Sequence, residues 1–262
     1  MKGVVPAAAM ATLVAFGSAR AQVAAQPTNT MDAGAAASAV NNGYGNWSSL
    51  YLRGTLQASP STVIYPEIVA SREFHDQGAL FSLGATHVLD NAWYVTGAAT
   101  TSAGGFYLPR ARVVAVANRK VLPSKRLVLN AGGSYAQWKD VHSDIGFSAG
   151  GAYYFTSPLL LEAGTNRNVS RPGNVASQSY FGAVTAGSAG TRYLTFRATG
   201  GHEAYSPLAP GQAIADFASH NISLSLRQWV RRGRGFVVGV EQYGNPFYHR
   251  ESLSLGAFWP IE

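Results

Sequence analysis

Residues 193–203 read YLTFRATGGHE and alternate strictly between apolar and polar side chains. One face carries Leu194, Phe196 and Ala198, and the other carries Thr195, Arg197, Thr199 and Glu203. A period of two residues is that of a β-strand whose faces meet different surroundings. In a soluble sandwich the apolar face would pack into a core, whereas in a transmembrane barrel it would face lipid. We interpret the apolar face of this strand as facing lipid.

The same alternation recurs from about residue 46 to the end of the chain, and each mid-strand charge lies opposite the apolar face. An arginine facing lipid near the bilayer midplane would cost about 2–4 kcal/mol, so a barrel requires this segregation. A soluble sandwich also segregates its faces, but its outer face is usually rich in Lys and Glu. Here the polar face is mainly Ser, Thr, Asn, Gly and Tyr, and aromatic residues collect near the segment ends. The pattern favours a membrane barrel with a crowded lumen and interfacial aromatic girdles.

Composition supports this interpretation and excludes several classes of protein. The 262 residues are 47% hydrophobic and only 13% charged, about half the usual charged share. The net charge of +7 comes largely from scattered arginines, which do not form the continuous basic patch of a nucleic-acid-binding protein. There is no cysteine, which excludes disulfides and cysteine metal sites.

The N-terminal region has the features of an export signal. Met1 and Lys2 precede an apolar run that is too short to span a membrane as a helix, and Ala19-Arg20-Ala21 follows as a cleavage site. We predict a signal peptide over residues 1–21 and a flexible periplasmic leader, rich in Ala, Asn and Gly, over residues 22–45. The predicted barrel occupies residues 46–262.

The strand candidates number thirteen, whereas a bacterial single-chain barrel needs an even number. They begin near residues 48, 62, 78, 92, 107, 126, 143, 158, 176, 191, 217, 235 and 250. Because Pro60 and Pro66 interrupt the first two, we predict a closed antiparallel up-and-down all-β barrel of about twelve strands, within a range of about ten to fourteen. Short periplasmic turns are expected to alternate with longer external loops, at 102–106, 138–142, 167–175, 203–216 and 244–249.

Several segments resemble the YaiO-type outer-membrane β-barrel family. They are Tyr107-Leu108-Pro109, GGSYAQW at 132–138, IGFSAGGAYYF at 145–155, GHEAY at 201–205 and EQYGNPFYHRESLSLGAFW at 241–259. The resemblance implies a signal peptide, a location in the outer membrane of a Gram-negative bacterium and no established activity. The C-terminus departs from the usual pattern, because Phe258-Trp259 is followed by Pro260-Ile261-Glu262 instead of ending on an aromatic residue.

Two groups of residues superficially suggest catalysis. Ser219, His220 and Asn221 are adjacent, so a strand would place His220 on the face opposite the other two, which a catalytic triad does not allow. His202, Glu203 and Asp216 could form an external metal or acid–base cluster, but solvated loop residues are the simpler interpretation. No nucleotide or zinc motif is present. We therefore predict a non-enzymatic protein with no catalytic, metal or cofactor site.

Alternate residues of a strand lie on the same face, a rule that we call face parity. It predicts a set of charges that point into the lumen. They are Arg53, Arg110, Arg112, Asp144, Glu162, Arg197, Glu203, Arg227 and Glu241. They would either pair into a network that plugs the barrel, which we favour, or line a path for an anionic solute or polysaccharide. The predicted role is a structural or surface-interaction barrel, or a narrow conduit. The alternatives are a barrel enzyme acting on lipid or peptide and an accessory to exopolysaccharide export.

The expected partners follow from the predicted location. They are outer-membrane lipid and lipopolysaccharide, the barrel assembly machinery and an envelope polysaccharide or other solute, with no nucleic acid.

Overall fold

The computed structural model describes residues 29–209 and 212–261 and shows a closed, antiparallel β-barrel. Each strand pairs with its neighbours in sequence, and the first and last strands pair to close the barrel. The described residues form fourteen strands: β1 Thr30–Val40, β2 Trp47–Ser59, β3 Thr62–Glu73, β4 Asp76–Val88, β5 Trp93–Gly104, β6 Ala111–Val121, β7 Leu127–Gln137, β8 Ser143–Tyr154, β9 Leu159–Arg171, β10 Val175–Ser188, β11 Arg192–Ala209, β12 Gln212–Arg231, β13 Arg234–Gly244 and β14 His249–Pro260.

The two faces of the wall are sorted as the alternation predicts. Leu194 and Phe196 are 44% and 45% exposed on the outside of β11. Between them, Thr195 points inward, and its hydroxyl lies 2.9 Å from that of Thr185 on β10. Apolar side chains are exposed on the outer face around the barrel, among them Leu50, Ile68, Phe81, Val113, Leu129, Phe147, Leu161, Ile222, Val240 and Leu253. An outer surface of this kind requires a lipid environment, because water would leave this large apolar area unburied.

The flexible leader predicted for residues 22–45 is wrong for residues 30–40, which form β1 and close the barrel between β2 and β14. This strand is built from small residues, TMDAGAAASAV, whose alternation is too weak to stand out in the sequence. Small residues fit here because the Tyr51 side chain lies across the inner face over Gly34 and Gly256, where a Cβ atom would meet its hydroxyl. The signal peptide predicted for residues 1–21, and residues 22–28, lie outside the described residues.

The predicted closed antiparallel barrel is confirmed, and its fourteen strands lie at the upper limit of the predicted range. There are two more than the twelve we favoured, because every one of the thirteen candidates is a strand and β1 adds another. The segment containing Pro66 belongs to the wall as β3. Its pairing with β2 passes directly from Arg53–Glu67 to Leu56–Ile64. This gap accommodates Pro66, which has no N–H to donate.

The connections define two ends of the barrel. We call the end that carries Thr30 and Pro260 the terminal end; its turns are 60–61, 89–92, 122–126, 155–158, 189–191 and 232–233. The opposite loop end carries residues 41–46, 74–75, 105–110, 138–142, 172–174 and 245–248. Two of the long loops predicted at this end are wrong. Arg171 still belongs to β9, and residues 203–209 and 212–216 continue the paired strands β11 and β12.

Across residues 29–209 and 212–261, no helix has the length and apolar character needed to cross a membrane.

Candidate functional site: the barrel lumen

The lumen contains a cavity of about 1790 Å³. Its lining begins at the terminal end with turn residues such as Ser61, Thr156 and Arg232. It extends inward to Trp47, near the loop end. The barrel is therefore not filled by side chains along its length, and the predicted plugging network occupies only part of the lumen.

Aromatic side chains, together with two leucines, pack into one hydrophobic cluster at the loop end. We call this cluster the aromatic plug; its buried members are Tyr44, Trp47, Phe74, Leu80, Tyr107, Leu108, Tyr243 and Tyr248. The ring centroids of Trp47 and Phe74 lie 4.5 Å apart, and those of Tyr44 and Tyr248 lie 5.7 Å apart. The plug draws on the 41–46, 74–75, 105–110 and 245–248 connections, which converge from both sides of the β1–β14 closure.

Hydrogen bonds fix the aromatic plug to the wall. The Tyr107 hydroxyl donates to the Ser71 carbonyl at 2.8 Å, and burial raises the pKa of Tyr107 to about 12. The side-chain carbonyl of Asn245 accepts from the backbone amides of Phe247 and Tyr248 at 2.8 and 2.9 Å, which holds this loop in a tight turn. Sequence analysis missed the plug, because Tyr44 lies in the segment interpreted as a leader, Tyr107 and Tyr243 lie in predicted strands, and only Tyr248 among its buried rings lies in a predicted loop, 244–249.

A second contact covers the opposite side of the loop end. The His142 ring stacks on Tyr205 with a centroid distance of 3.7 Å, and Tyr205 also packs edge-on against Trp138 at 5.6 Å. Asp140 accepts hydrogen bonds from the Tyr205 hydroxyl and from His142. Partial burial acts to raise the pKa of Asp140, but the hydrogen bonds from Tyr205 and His142 outweigh it and hold the pKa below its usual value.

Three ion pairs line the lumen within residues 29–209 and 212–261. Arg227 on β12 binds Asp32 on β1 with an Nη2–Oδ1 distance of 3.0 Å. The other two pairs join neighbouring strands, Arg53 with Glu67 and Arg250 with Glu241.

Two further sets of opposite charges are separated by one intervening strand. Glu162 and Arg197 both neighbour Ala183 on the inner face, and Arg112 and Asp144 both neighbour Ala136. The inner wall thus places opposite charges near one another, as the cost of an unpaired buried charge requires.

Of the nine predicted lumen charges, eight lie on the inner face. They are Arg53, Arg112, Asp144, Glu162, Arg197, Glu203, Arg227 and Glu241. Arg110 is a correction: it is exposed at the loop end, just before β6 begins, and its Nη2 lies 3.4 Å from the Lys139 carbonyl. Parity fails for Arg110 because the strand starts at Ala111 and not at residue 107.

The partners of three predicted charges were missed. Asp32 lies in the segment interpreted as a leader. Glu67 follows Pro66, which counted against a strand there, and Arg250 lies at the start of β14. Each becomes recognisable only when its strand is placed in the wall.

The two groups of residues that suggested catalysis do not come together as catalytic sites. His202 and Asp216 contact each other at 3.2 Å, but their side chains are 58% and 67% exposed, while Glu203 points inward and accepts a hydrogen bond from Tyr243. His220 is exposed and the adjacent Asn221 is buried, as expected for opposite faces of a strand. The part of the chain that the structure describes holds no group of three or more His, Cys, Asp or Glu residues able to bind a metal ion.

Comparisons with known proteins agree with this architecture. The family model of the YaiO membrane beta barrel domain matches residues 28–206. No curated protein matches the sequence.

Solved structures share the fold at very low sequence identity. A bacterial polysaccharide outer membrane secretin is similar with a TM-score of 0.56 and 8% identity, covering 90% of this chain and 99% of that one. The CymD monoaromatic hydrocarbon channel has a TM-score of 0.54 and 9% identity, with 90% and 89% covered. The anion-selective porin from Comamonas acidovorans has a TM-score of 0.51 and 9% identity, with 89% and 99% covered.

Proposed function

The chain belongs to the YaiO family of membrane β-barrels and lies in the outer membrane, and from this premise we propose that it is a non-enzymatic conduit whose external end is closed by the aromatic plug. The terminal end faces the periplasm, as expected for the shorter turns of an outer-membrane barrel. A solute, or an envelope polysaccharide, enters the lumen from that side. Lipid and lipopolysaccharide surround the wall.

The cavity of about 1790 Å³, lined by turn residues of one end and stopped by aromatic rings at the other, is the observation that carries the proposal. This interior space exceeds the usual size of a ligand pocket. Five buried members of the plug (Tyr44, Phe74, Tyr107, Leu108 and Tyr248) lie on connections, whereas Trp47, Leu80 and Tyr243 belong to the wall; the connections can therefore be displaced without breaking the ladder of strand pairs. This arrangement suits a closed state of a gated path.

Planar-bilayer conductance tests the proposal. Wild-type barrel is expected to stay closed for most of the recording, because the rings of the plug exclude water and ions. The double variant Phe74→Ala with Tyr248→Ala removes two rings that lie at the centre of the plug and is expected to conduct several-fold more. Trp93→Ala, which removes an exposed aromatic ring on the outer wall at the terminal end, serves as the matched control and is expected to behave as wild type.

The comparison separates a gated conduit from a structural barrel. If the plug variant is folded and still shows no channel events at any voltage, the conduit proposal is wrong and a structural or surface-interaction role remains. Refolding is checked by the heat-dependent mobility of the barrel on denaturing gels.

A further inference from the structure

The positive charge of the chain is concentrated at the terminal end. Within residues 29–209 and 212–261, basic side chains lie in the terminal-end turns or next to them at Arg119, Lys120, Lys125, Arg126, Arg192, Arg231, Arg232 and Arg234. The acidic side chain of the same turns is Asp90, whose Oδ1 accepts hydrogen bonds from the backbone amides of Ala92 and Trp93 at 2.6 and 2.8 Å. This end of the described barrel is therefore strongly cationic.

Three of these cations line the opening of the lumen cavity. They are Lys120, Arg231 and Arg232, and we call them the basic mouth. Lys120 lies on β6, whereas Arg231 ends β12 and Arg232 lies in the turn that follows. Because five strands separate β6 from β12 in one direction and seven in the other, these positive charges lie on opposite sides of the opening.

Other cations of the same end lie on the outer face. The Arg119 guanidinium lies 5.2 Å from the ring centroid of Trp93, which is exposed on the outer wall. Arg192 directly precedes Tyr193, which lines the cavity, so alternation places Arg192 on the outside. The terminal end thus offers matched cations inside and outside the lumen.

Positive charge continues from the basic mouth into the lumen. Arg53 and Arg227 line the cavity, and each is more exposed than the carboxylate that it pairs with. The side-chain exposures are 37% for Arg53 against 7% for Glu67, and 23% for Arg227 against 12% for Asp32. The wall therefore turns the cationic side of both pairs toward the cavity.

We propose that the basic mouth recruits an oligosaccharide that carries carboxylate groups and guides it into the lumen. The proposal deepens the proposed function and rests on it for the identity of the terminal end as the entrance.

The charges select an anionic ligand that extends over several units. Rings of like charge at a pore attract ions of the opposite sign, and guanidinium groups match the planar carboxylate. Since the cations of the basic mouth lie on opposite sides of the opening, a ligand must carry more than one charge to contact both sides. A single small anion would contact only one of them.

The rest of the lining favours a sugar over other polyanions. Serine and threonine hydroxyls, which both donate and accept hydrogen bonds, line the cavity at Ser61, Thr156 and Ser225. The rings of Tyr193 and Trp229 line it near the mouth, where they offer apolar faces to sugar rings. The cavity volume of about 1790 Å³ accommodates several units of an oligomer.

Titration calorimetry tests the proposal on the folded full-length barrel in an uncharged detergent without a sugar headgroup. The probes are the galacturonic acid hexamer, neutral maltohexaose and the hexaglutamate peptide, which has side-chain carboxylates but no sugar ring. At about 0.15 M salt, where distant charges are screened, we expect the galacturonic acid hexamer to bind at least about tenfold more tightly than either of the others. Higher salt should weaken its binding.

A matched pair of double variants locates the site. Lys120→Gln with Arg232→Gln removes two charges from the basic mouth and is expected to weaken binding of the galacturonic acid hexamer about tenfold. Arg119→Gln with Arg192→Gln removes two charges from the outer face of the same end, and we expect this variant to bind as wild type does. Heat-dependent gel mobility confirms that both variants are folded.

Three results would overturn the proposal. The first is no binding of the galacturonic acid hexamer, or binding no tighter than that of maltohexaose. The second is equally tight binding of hexaglutamate, which would mean that the lumen responds to charge alone. The third is an equal effect, or no effect, of the two double variants, which would place any attraction outside the basic mouth.

Binding is measured on the closed barrel and does not depend on conduction. A barrel that binds the galacturonic acid hexamer as expected but never conducts contradicts only the proposed conduit. A barrel that conducts when its plug is removed but does not bind this hexamer contradicts only the role of the basic mouth.

Discussion

Arg227 on β12 and Asp32 on β1 face each other across the inner wall and share two parallel hydrogen bonds, Nη2–Oδ1 at 3.0 Å and Nη1–Oδ2 at 3.2 Å. Two strands, β13 and β14, lie between them. The guanidinium also lies 3.6 Å from the ring centroid of Phe258 on β14. This bidentate pair therefore spans the seam at which the first and last strands close the barrel.

Removing one partner of this pair is expected to destabilise the barrel. The Asp32 and Arg227 side chains are only 12% and 23% exposed, so Asp32→Ala leaves a largely buried guanidinium without its counterion. We expect the free energy of unfolding to fall by about 3 kcal/mol, as for other broken buried pairs. Urea unfolding in lipid vesicles, followed by tryptophan fluorescence, measures the change.

The matched control is Asp216→Ala, which breaks an exposed pair with His202 and is expected to change stability by less than about 1 kcal/mol. Asp32→Leu combined with Arg227→Met should recover much of the loss, because no charge is then left unpaired. Equal stability of wild type and Asp32→Ala would show that the pair contributes nothing.

The orientation of the wall predicts opposite effects at adjacent positions of β11. Phe196 lies on the outer face beside Val184 and Leu224, whereas Thr195 lines the cavity. Phe196→Arg places a charge in the apolar belt and is expected to cost about 2–4 kcal/mol. Thr195→Arg places the same charge in the lumen and should leave the barrel folded. Folded yield in vesicles measures both, and a reversed order would contradict the orientation.

The role of β1 in closing the barrel predicts sensitivity to proline. Ala35 pairs with Leu50 on β2 and with Leu255 on β14. Ala35→Pro removes a backbone donor from a strand paired on both sides and is expected to abolish folding. Ala35→Val keeps the donor and favours extended backbone, so it should fold normally. If the Ala35→Pro barrel folds as well as wild type, closure of the barrel does not depend on β1.

Acidification is expected to loosen the loop end around Asp140. The folded-state pKa of Asp140 lies below its usual value, so its hydrogen bonds from Tyr205 and His142 stabilise the loop above the unfolded pKa. That stabilisation is lost as the pH falls through the folded pKa, below about pH 4.

Proteolysis of the 138–142 loop as a function of pH monitors this transition. Asp140→Asn should raise cleavage at neutral pH toward the level that wild type reaches in acid, and it should remove the pH dependence. A wild-type loop that stays resistant through the acid range would contradict the assignment to Asp140.

Much of the architecture could be read from the chain because strand alternation is a local property. The alternation of Leu194, Thr195 and Phe196 alone indicates an inner and an outer face, and eight of the nine charges that the same rule assigns to the lumen lie on the inner face of the structure. It misplaces Arg110, because parity has meaning only within a strand and the start of β6 is set by its pairing with β7. The alternation rule does not detect β1, because alanine, glycine and serine differ too little in hydrophobicity for alternation to be visible.

The sequence by itself determined that these ribbons turn apolar side chains toward lipid and ionic ones inward, since side-chain direction depends only on position along a strand. Only the tertiary structure decided that Arg227 meets Asp32, that four connections bring their rings together as the aromatic plug, and that Trp47, Glu73 and Arg250 converge beneath it. Contacts across the lumen depend on how many strands close the wall and in which register, and neither quantity is encoded in any single segment.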